Sequence, residues 1–413
     1  MLDIYYQYPR VISRFRRGAL GNEIDDIAAR LSELGYNRES AKVFLSRIAC
    51  FSEYAARHGC TRLKPIEARV IDQFLQSRVT RAARRMAQSA IAHAKRCFPA
   101  RFALRPSCTS GDPHQSLLSD YFQHLRVVRG LHPKTCQGMI LGARRMLGWQ
   151  KQHLRGKSLS DMTAKHILTM TRDLVAACNS DGSKSLMTTY MRSFLRFVYF
   201  ANRSAQDLSG FVPTTPCWRL AHLPQRLAWE EVRRAIDAIE ITTPSGVRDR
   251  AMMLLLASTG LRNKELRTLE LDDIRWRSGK LLIRRTKGHR DRFLPLLQET
   301  GAALAEYVLH ARPKTQERRV FLSHRPPVRP FDCSGTVSRI VLVRLQRAGV
   351  PVTHGGAHLL RHSLATRLVT QGRPIKEVAD LLGHQHIDTT AIYVKVSLPQ
   401  LAEVALPFPG GGL

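Results

Sequence analysis

The chain reads as a mainly α-helical, multi-domain protein with one small antiparallel β-sheet in its C-terminal half. Three observations predict this. Apolar residues recur at helical spacing along most of the sequence. A proline-bearing stretch at 208–226 separates two regions of different character. One segment of the second region breaks the helical period into short apolar runs divided by turn residues. A length of 413 residues suits two or three domains, and 44% hydrophobic residues suffice for packed cores.

Residues 1–110 form the first helical unit. "IDDIAARLSEL", "AKVFLSRIACFSEYAARHG" and "VIDQFLQSRV" are amphipathic at helical spacing. "SRVTRAARRMAQSAIAHAKR" follows, with Arg78, Arg81 and Arg85 on one helical stripe. "SGDPHQS" is a break, and 111–207 form a second unit. Its helices are "LLSDYFQHLRVV", "MILGARRMLGWQKQHL", "HILTMTRDLVAAC" and "LMTTYMRSFLRFVYFA". The two units share a pattern. Leu34-Gly35, Ser40, Phe51, Tyr54, His58-Gly59, Leu63 and Ile71 are matched by Arg129-Gly130, Thr135, Met146, Trp149, His153, Leu159 and Ile167. Each set is a glycine, a Ser/Thr helix start, an amphipathic helix ending in an aromatic, a loop and another helix. Duplication explains the match, and so does the general likeness of helical hairpins.

The segment 208–226 is a linker with prolines at 213, 216 and 224. Residues 227–405 form the third unit, followed by a tail at 406–413. "LAWEEVRRAIDAI" and "VRDRAMMLLLASTGL" are helices. "DDIRWRSGKLLIRRTKGHRDRFLPL" is a small antiparallel sheet with a tight hairpin between "LLIRRT" and "RFLPL". Helices resume with "GAALAEYVLHA", "TVSRIVLVRLQRAG", "HLLRHSLATRLV", "IKEVADLLGH" and "TTAIYVKV".

Charge narrows the function. Sixty-five Lys and Arg face 33 Asp and Glu, a net charge of +32. Like charges repel, so such an excess answers to a polyanion, double-stranded nucleic acid before an anionic membrane. Arginine dominates the basic set, and its planar fork suits phosphate. The eight cysteines, Cys50, Cys60, Cys97, Cys108, Cys136, Cys178, Cys217 and Cys333, contain no CxxC, which argues against a zinc knuckle or disulfide framework. They fit reduced packing residues. The N-terminus lacks the apolar core of a signal peptide. The longest apolar run, "AMMLLLA", is far short of the roughly 20 residues a membrane span needs. The expectation is a soluble, cytoplasmic protein with no membrane partner.

Four segments carry candidate chemistry. In "HLLRHSLATRLV", His358 and Arg361 fall on one side of a helix, with Leu360, Leu364 and Leu368 on another, so the leucines enter a core while His358 and Arg361 look outward. His362 stands four residues after His358, a spacing that can hold a metal. No HExxH, cysteine pair or acidic ligand accompanies it, so no metal and no cofactor is expected. "STGLRNKELRTLELDDI" puts Arg262 after a Thr-Gly break at a helix start, with Glu265 placed to brace it. "RRTKGHRDRFLPL" puts Lys287 at the hairpin tip. "LLGHQHIDTTAIYVKV" ends one helix at Gly383-His384 and starts another after Asp388, with Tyr393 one turn in.

These four segments, in this order and at these spacings, resemble the tyrosine recombinase/integrase family, over roughly 227–400. The region 113–205 is similar to that family's helical core-binding domain, most clearly in "GLHPKTCQGMILGARRMLGW". The resemblance implies a site-specific DNA recombinase that forms a 3′-phosphotyrosyl intermediate and needs neither metal nor ATP. It implies that Arg262 and Arg361 fork onto the phosphate, that Lys287 is the general acid to the 5′ oxygen, and that His358 takes the tyrosine proton. It makes His384 a second phosphate-binding histidine and Tyr393 the nucleophile. Arg284, Arg285, Arg290 and Arg292 would supply the positive neighbours that lower a lysine from its ordinary pKa of ~10.4. Glu265 would orient Arg262, and it is equally an ordinary surface pairing residue; His362 is a supporting residue or a packing one. Arg78, Arg81, Arg85, Arg144, Arg145, Arg285 and Arg290 are candidate DNA contacts, alternatively a solvated face.

The family works as a homotetramer on two DNA sites, in some cases with sister recombinases, so the units should clamp a duplex. The extra first unit and the tail resemble recombinases of mobile elements, which integrate, excise or transpose. Two other readings stay open: a type IB topoisomerase-like nicking and closing enzyme, and a catalytically silent DNA-binding accessory factor.

Overall fold

A computed structural model describes residues 1–103, 114–154, 158–216, 226–284, 291–384 and 390. The chain divides into two compact units. One is Leu104–Ala221, and the other comprises Met1–Ala103 and His222–Leu413. Three separate helical or mixed bodies of core lie within them.

The first core belongs to residues 1–103. Its helices are α1 (Pro9–Phe15), α2 (Ile24–Glu33), α3 (Arg38–Arg57), α4 (Ala68–Gln76) and α5 (Arg81–Cys97). Ile24, Ile27, Ala28 and Leu31 recur on one face of α2 and are buried against Leu45, Ile48 and Phe51 of α3 and against Phe74, Ala90 and Ile91. That spacing explains why the segment is a surface helix. Arg78 does not share a stripe with Arg81 and Arg85. α4 ends at Gln76, and the Thr80 hydroxyl caps α5 by accepting from the Ala83 N–H at 3.1 Å. Arg78 therefore sits in the turn, its guanidinium 4.3 Å from the Phe74 ring centroid.

The second core belongs to α6 (Gln115–Gln123), α7 (Pro133–His153), α8 (Ala164–Ala176) and α9 (Asp181–Phe200). α6 continues into a π-helical turn, His124–Val128. Leu208 and Val212, which the sequence placed in the linker, are buried in this core, and Arg192 donates to the Val212 carbonyl at 3.0 Å. The proline spacing hid this, because a short 3₁₀ turn at Leu208–Phe211 packs before the prolines begin.

The third core is built around α11 (Pro244–Thr259), a helix buried on nearly every side. α10 (Trp229–Asp237), α13 (Gln298–Glu306), α14 (Ser334–Arg347) and α15 (Ala357–Thr370) all pack on it. α12 (Asn263–Thr268) follows α11 directly, and α16 (Ile375–Leu382) packs on α15. The sheet has the order β1 (Ile274–Arg275), β2 (Lys280–Ile283), β3 (Arg292–Pro295), all antiparallel. Ile274 pairs with Leu281, Leu281 with Leu294, and Ile283 with Arg292. This register puts Ile274, Leu281, Ile283 and Leu294 on the buried face and places Arg292 on that same face. Among the described residues, no helix is long and apolar enough to cross a membrane.

Candidate active site

The site forms where two helices end. α11 stops at Gly260 and α16 at Gly383, both in the left-handed conformation (φ 61° and 66°) that glycine adopts without strain. Helix C-termini leave carbonyls without intrahelical partners and carry partial negative charge. Two arginines use them. Arg361 donates from Nη1 to the Gly260 carbonyl at 2.7 Å and from Nη2 to the Leu382 carbonyl at 2.8 Å. Arg262 donates from Nη2 to the neighbouring Gly383 carbonyl at 2.8 Å. Residues a hundred positions apart in sequence are thus anchored to adjacent peptide units.

Arg361 does not lie at a solvent rim. It is 3% exposed, and α15 is buried on both its leucine side and its arginine side. The helix is central, so the expected division into an inward leucine row and an outward polar row does not hold for Arg361. His358 is the exposed member of the set. Its ring and that of His362 lie 6.2 Å apart on successive turns.

Glu265 is 6% exposed and holds Arg262 in two ways. Its Oε2 accepts from the Arg262 backbone N–H at 2.9 Å, and its Oε1 from Nη1 at 2.9 Å. The backbone bond also satisfies an open donor at the start of α12. Glu265 is therefore a buried brace, not a surface pairing residue. A second cation shares it: Arg292 donates from Nη1 to Oε1 at 3.2 Å and from Nη2 to Oε2 at 3.1 Å. Sequence reasoning counted Arg292 only as a positive neighbour of Lys287. The signal that assigns it was present, since Arg292 and Leu294 alternate onto the same strand face. Arg284 is engaged by the buried carboxylate of Asp273.

The three histidines share one electrostatic setting. Partial loss of water around its ring, and then the Arg361 and Arg262 charges, press His358 below its ordinary value. His362 is lowered to about 4 by burial, His358 and Arg361. His384 is lowered to about 4 by burial, then Arg361 and Arg262, with smaller contributions from His362 and Arg292. All three are neutral at pH 7, so they can accept protons or hydrogen bonds. His384 Nδ1 shares a 2.7 Å hydrogen bond with the hydroxyl of Thr390, which is fully buried and lies three residues before Tyr393 in sequence. The arrangement offers two fixed guanidiniums and neutral imidazoles in one place, a receptor for a phosphate with proton acceptors beside it.

The structure brings Arg262, Glu265, His358, Arg361, His362 and His384 together. Lys287, Tyr393, Arg285 and Arg290 lie outside the described residues, as does the expected helix "TTAIYVKV" apart from Thr390. Arg81 and Arg85 are exposed on α5 and Arg144 and Arg145 on α7, none of them in this site.

The chain is also similar to known proteins in sequence and in fold. Residues 225–398 match the profile of the phage integrase family. The putative integrase/recombinase y4rF of Sinorhizobium fredii is 53% identical over 413 residues, covering 100% of this chain and 96% of that protein. The tyrosine recombinase XerD of Corynebacterium glutamicum is 30% identical over 306 residues, covering 70% of this chain and 96% of its own. The fold is shared with the XerH site-specific recombinase bound to palindromic difH in a post-cleavage complex. There the TM-score is 0.55 at 18% identity, covering 81% of this chain and 93% of that one.

Proposed function

The chain belongs to the tyrosine recombinase/integrase family, and on that premise we propose that Tyr393 attacks a DNA backbone phosphate gripped by Arg262 and Arg361. As a member of the family it is a site-specific DNA recombinase that cuts and rejoins strands through a 3′-phosphotyrosyl intermediate. The observation that carries the residue assignment is the anchoring of both guanidiniums on the adjacent carbonyls of Leu382 and Gly383.

The chemistry follows from what a phosphodiester demands. Uncatalysed phosphate ester cleavage is among the slowest reactions known, so stabilisation of charge on the non-bridging oxygens must be large. Arg262 and Arg361 are held before substrate arrives, and so little reorganisation is needed when charge develops. A phenol with a pKa near ~10 is a poor nucleophile at neutral pH without a base. His358, neutral and exposed, takes its proton. His384 donates to a non-bridging oxygen once the phosphate is bound, because an anion beside it offsets the two arginine charges. Lys287 protonates the 5′ leaving oxygen. The phosphotyrosyl link keeps the bond energy, so the free 5′ hydroxyl of a partner strand reverses the step without ATP.

We further assign residues 1–103, 114–212 and 227–405 to three modules that together hold duplex DNA, with a homotetramer on two sites as the working assembly. Strand exchange of this kind would serve integration, excision or transposition of a mobile element. A duplex carrying a nick beside the cut site tests the chemistry. Covalent protein–DNA accumulates with the unaltered protein, and Tyr393→Phe abolishes it while sparing binding. Binding without any adduct would reduce the protein to an accessory factor. Relaxation of supercoiled plasmid of arbitrary sequence would make it a nicking and closing enzyme.

A further inference from the structure

The first bundle repeats the second. In each, the first helix packs on the second, the second on the fourth, and the third on both: α2–α5 in one, α6–α9 in the other. The likeness extends to local geometry. Gly35 and Gly130 both take positive φ (76° and 61°) just before the long helix. The next residues, Tyr36 and Leu131, donate backward to Leu31 and Leu125 at 3.1 and 3.0 Å. Asn37 and His132 cap the long helices with their side chains. Near the ends of those helices Tyr54 stacks on His58 at 4.0 Å and Trp149 on His153 at 4.4 Å. Each histidine Nδ1 bonds the carbonyl of its own aromatic partner, at 2.8 and 3.0 Å. Thr80 and Ser180 cap the fourth helices, each accepting from the N–H three residues on. The same number of residues separates Gly35 from Gly130, Asn37 from His132, Tyr54 from Trp149 and His58 from His153. General likeness of helical hairpins does not produce this agreement.

The charge of the first bundle is then informative. Residues 1–103 hold nineteen Lys and Arg against nine Asp and Glu. α5 has no acidic residue, and Arg81, Arg84 and Arg85 crowd its first five positions. A helix N-terminus favours anions, so these arginines oppose the macrodipole. In the second bundle the same position carries Asp181, paired with Lys184 at 2.9 Å. Arg84 has a structural use, donating to the Leu75 carbonyl at 3.0 Å. Arg81 and Arg85 are exposed, and at about 100° per residue they share one face with Arg96, opposite the buried Ala87, Ala90, Ile91 and Ala94. Helix stability does not account for them, and a polyanion does.

We propose that residues 1–103 are a second copy of the helical DNA-binding module, and that the α5 face bearing Arg81, Arg85 and Arg96 binds duplex phosphates. The inference rests on the reading that the protein acts on DNA. It adds a separate grip that the catalytic chemistry does not require.

The test uses full-length protein and a random-sequence duplex, with affinity measured across salt concentrations. Each lost phosphate contact lowers the slope of log affinity against log salt by about 0.9. The double variant Arg81→Gln/Arg85→Gln should lower it by about 2. Its melting temperature should hold or rise, because the removed charges oppose the helix dipole. An unchanged slope in a folded variant would overturn the proposal, and so would an unchanged slope accompanied by loss of self-association, which would make the bundle a protein-binding module. Arg96→Gln added to the pair should lower the slope again. The nicked duplex provides the separate control. If unaltered protein traps no adduct, the recombinase reading fails by itself; if it does trap adduct while the slopes coincide, only the second grip is lost.

Discussion

Arg262 and Arg292 hold the same carboxylate, that of Glu265. Both Glu265 oxygens are used twice, by the Arg262 backbone and guanidinium and by both terminal nitrogens of Arg292. Burial pushes this carboxyl up, but Arg292 and then Arg262 outweigh it, so it titrates below the ordinary range. The consequence is mechanical as well as electrostatic. β3 follows Lys287 by five residues in sequence, and Glu265 ties that strand to the start of α12.

Removing either end of this clamp should impair cleavage more than binding. A misplacement of about 1 Å in a positioning group can cost about 100-fold in rate. Arg292→Met should therefore slow adduct formation on nicked DNA by about 10- to 100-fold, with duplex affinity and its salt slope nearly unchanged. Glu265→Gln should behave alike, and the double variant should be little worse than the poorer single one. Fully additive losses, or a reduced salt slope for Arg292→Met, would mean that Arg292 meets DNA directly.

The depressed histidines make stability depend on pH in a defined direction. His362 and His384 titrate at about 4 in the folded chain, against ~6.5 when unfolded. Between those values the unfolded chain binds more protons, so stability rises with pH and falls as pH drops from 6.5 toward 4. Thermal melts at pH 7 and pH 5 should show this loss, and His362→Gln should reduce the difference between them. A histidine variant that retains the whole difference would assign the acid sensitivity to other groups.

Much of this site was legible because its chemistry resides in short motifs. Arg262, His358, Arg361 and His384 each stand at a helix boundary or on a helix whose ends the sequence marks with glycine. The depth of Arg361 was not legible. Helical periodicity assumes one wet face, and α15 has almost none, being enclosed by α10, α11, α14 and α16. Arg78 was misplaced for a related reason. The stripe was drawn through Ser77, Val79 and Thr80, weak helix formers of which Thr80 is the cap that starts a new helix. The pairing of Arg292 with Glu265 joins residues 27 positions apart; alternation along the strand turns Arg292 inward, but it does not name the partner.

A buried ion cluster was likewise invisible in sequence, and it gives a stability prediction. Asp249 on α11 accepts from Arg248 at 2.7 and 2.9 Å and from Arg344 on α14 at 2.6 and 2.9 Å. All three side chains are largely buried. Asp249→Ala leaves two cations without their anion, a change that costs about 3–5 kcal/mol. Urea denaturation should show a lower midpoint with little change in slope, the shift multiplied by the slope giving that loss. Replacing Asp249 and both arginines together by apolar residues should cost less than Asp249→Ala alone.

Gly260 links the fold to the chemistry, and its substitution separates two effects. Its φ of 61° costs any other residue about 1–2 kcal/mol. A Cβ there would also stand 2.7 Å from Leu382 Cδ2 and 3.2 Å from Leu364 Cδ2. Leu382 and Gly260 supply the two carbonyls that hold Arg361, so the clash falls beside its anchors, and either the Leu382 side chain turns or the two helix ends part to relieve it. Gly349 is the control. It has φ 72°, and a Cβ there meets nothing within 4 Å. Gly349→Ala should lose only the backbone cost and leave adduct formation near that of the unaltered protein. Gly260→Ala should lose more stability and slow adduct formation by at least about 10-fold, since Arg361 no longer meets the phosphate where charge develops. Equal stability losses and equal rates in the two variants would show that Arg361 keeps its position when its anchors shift.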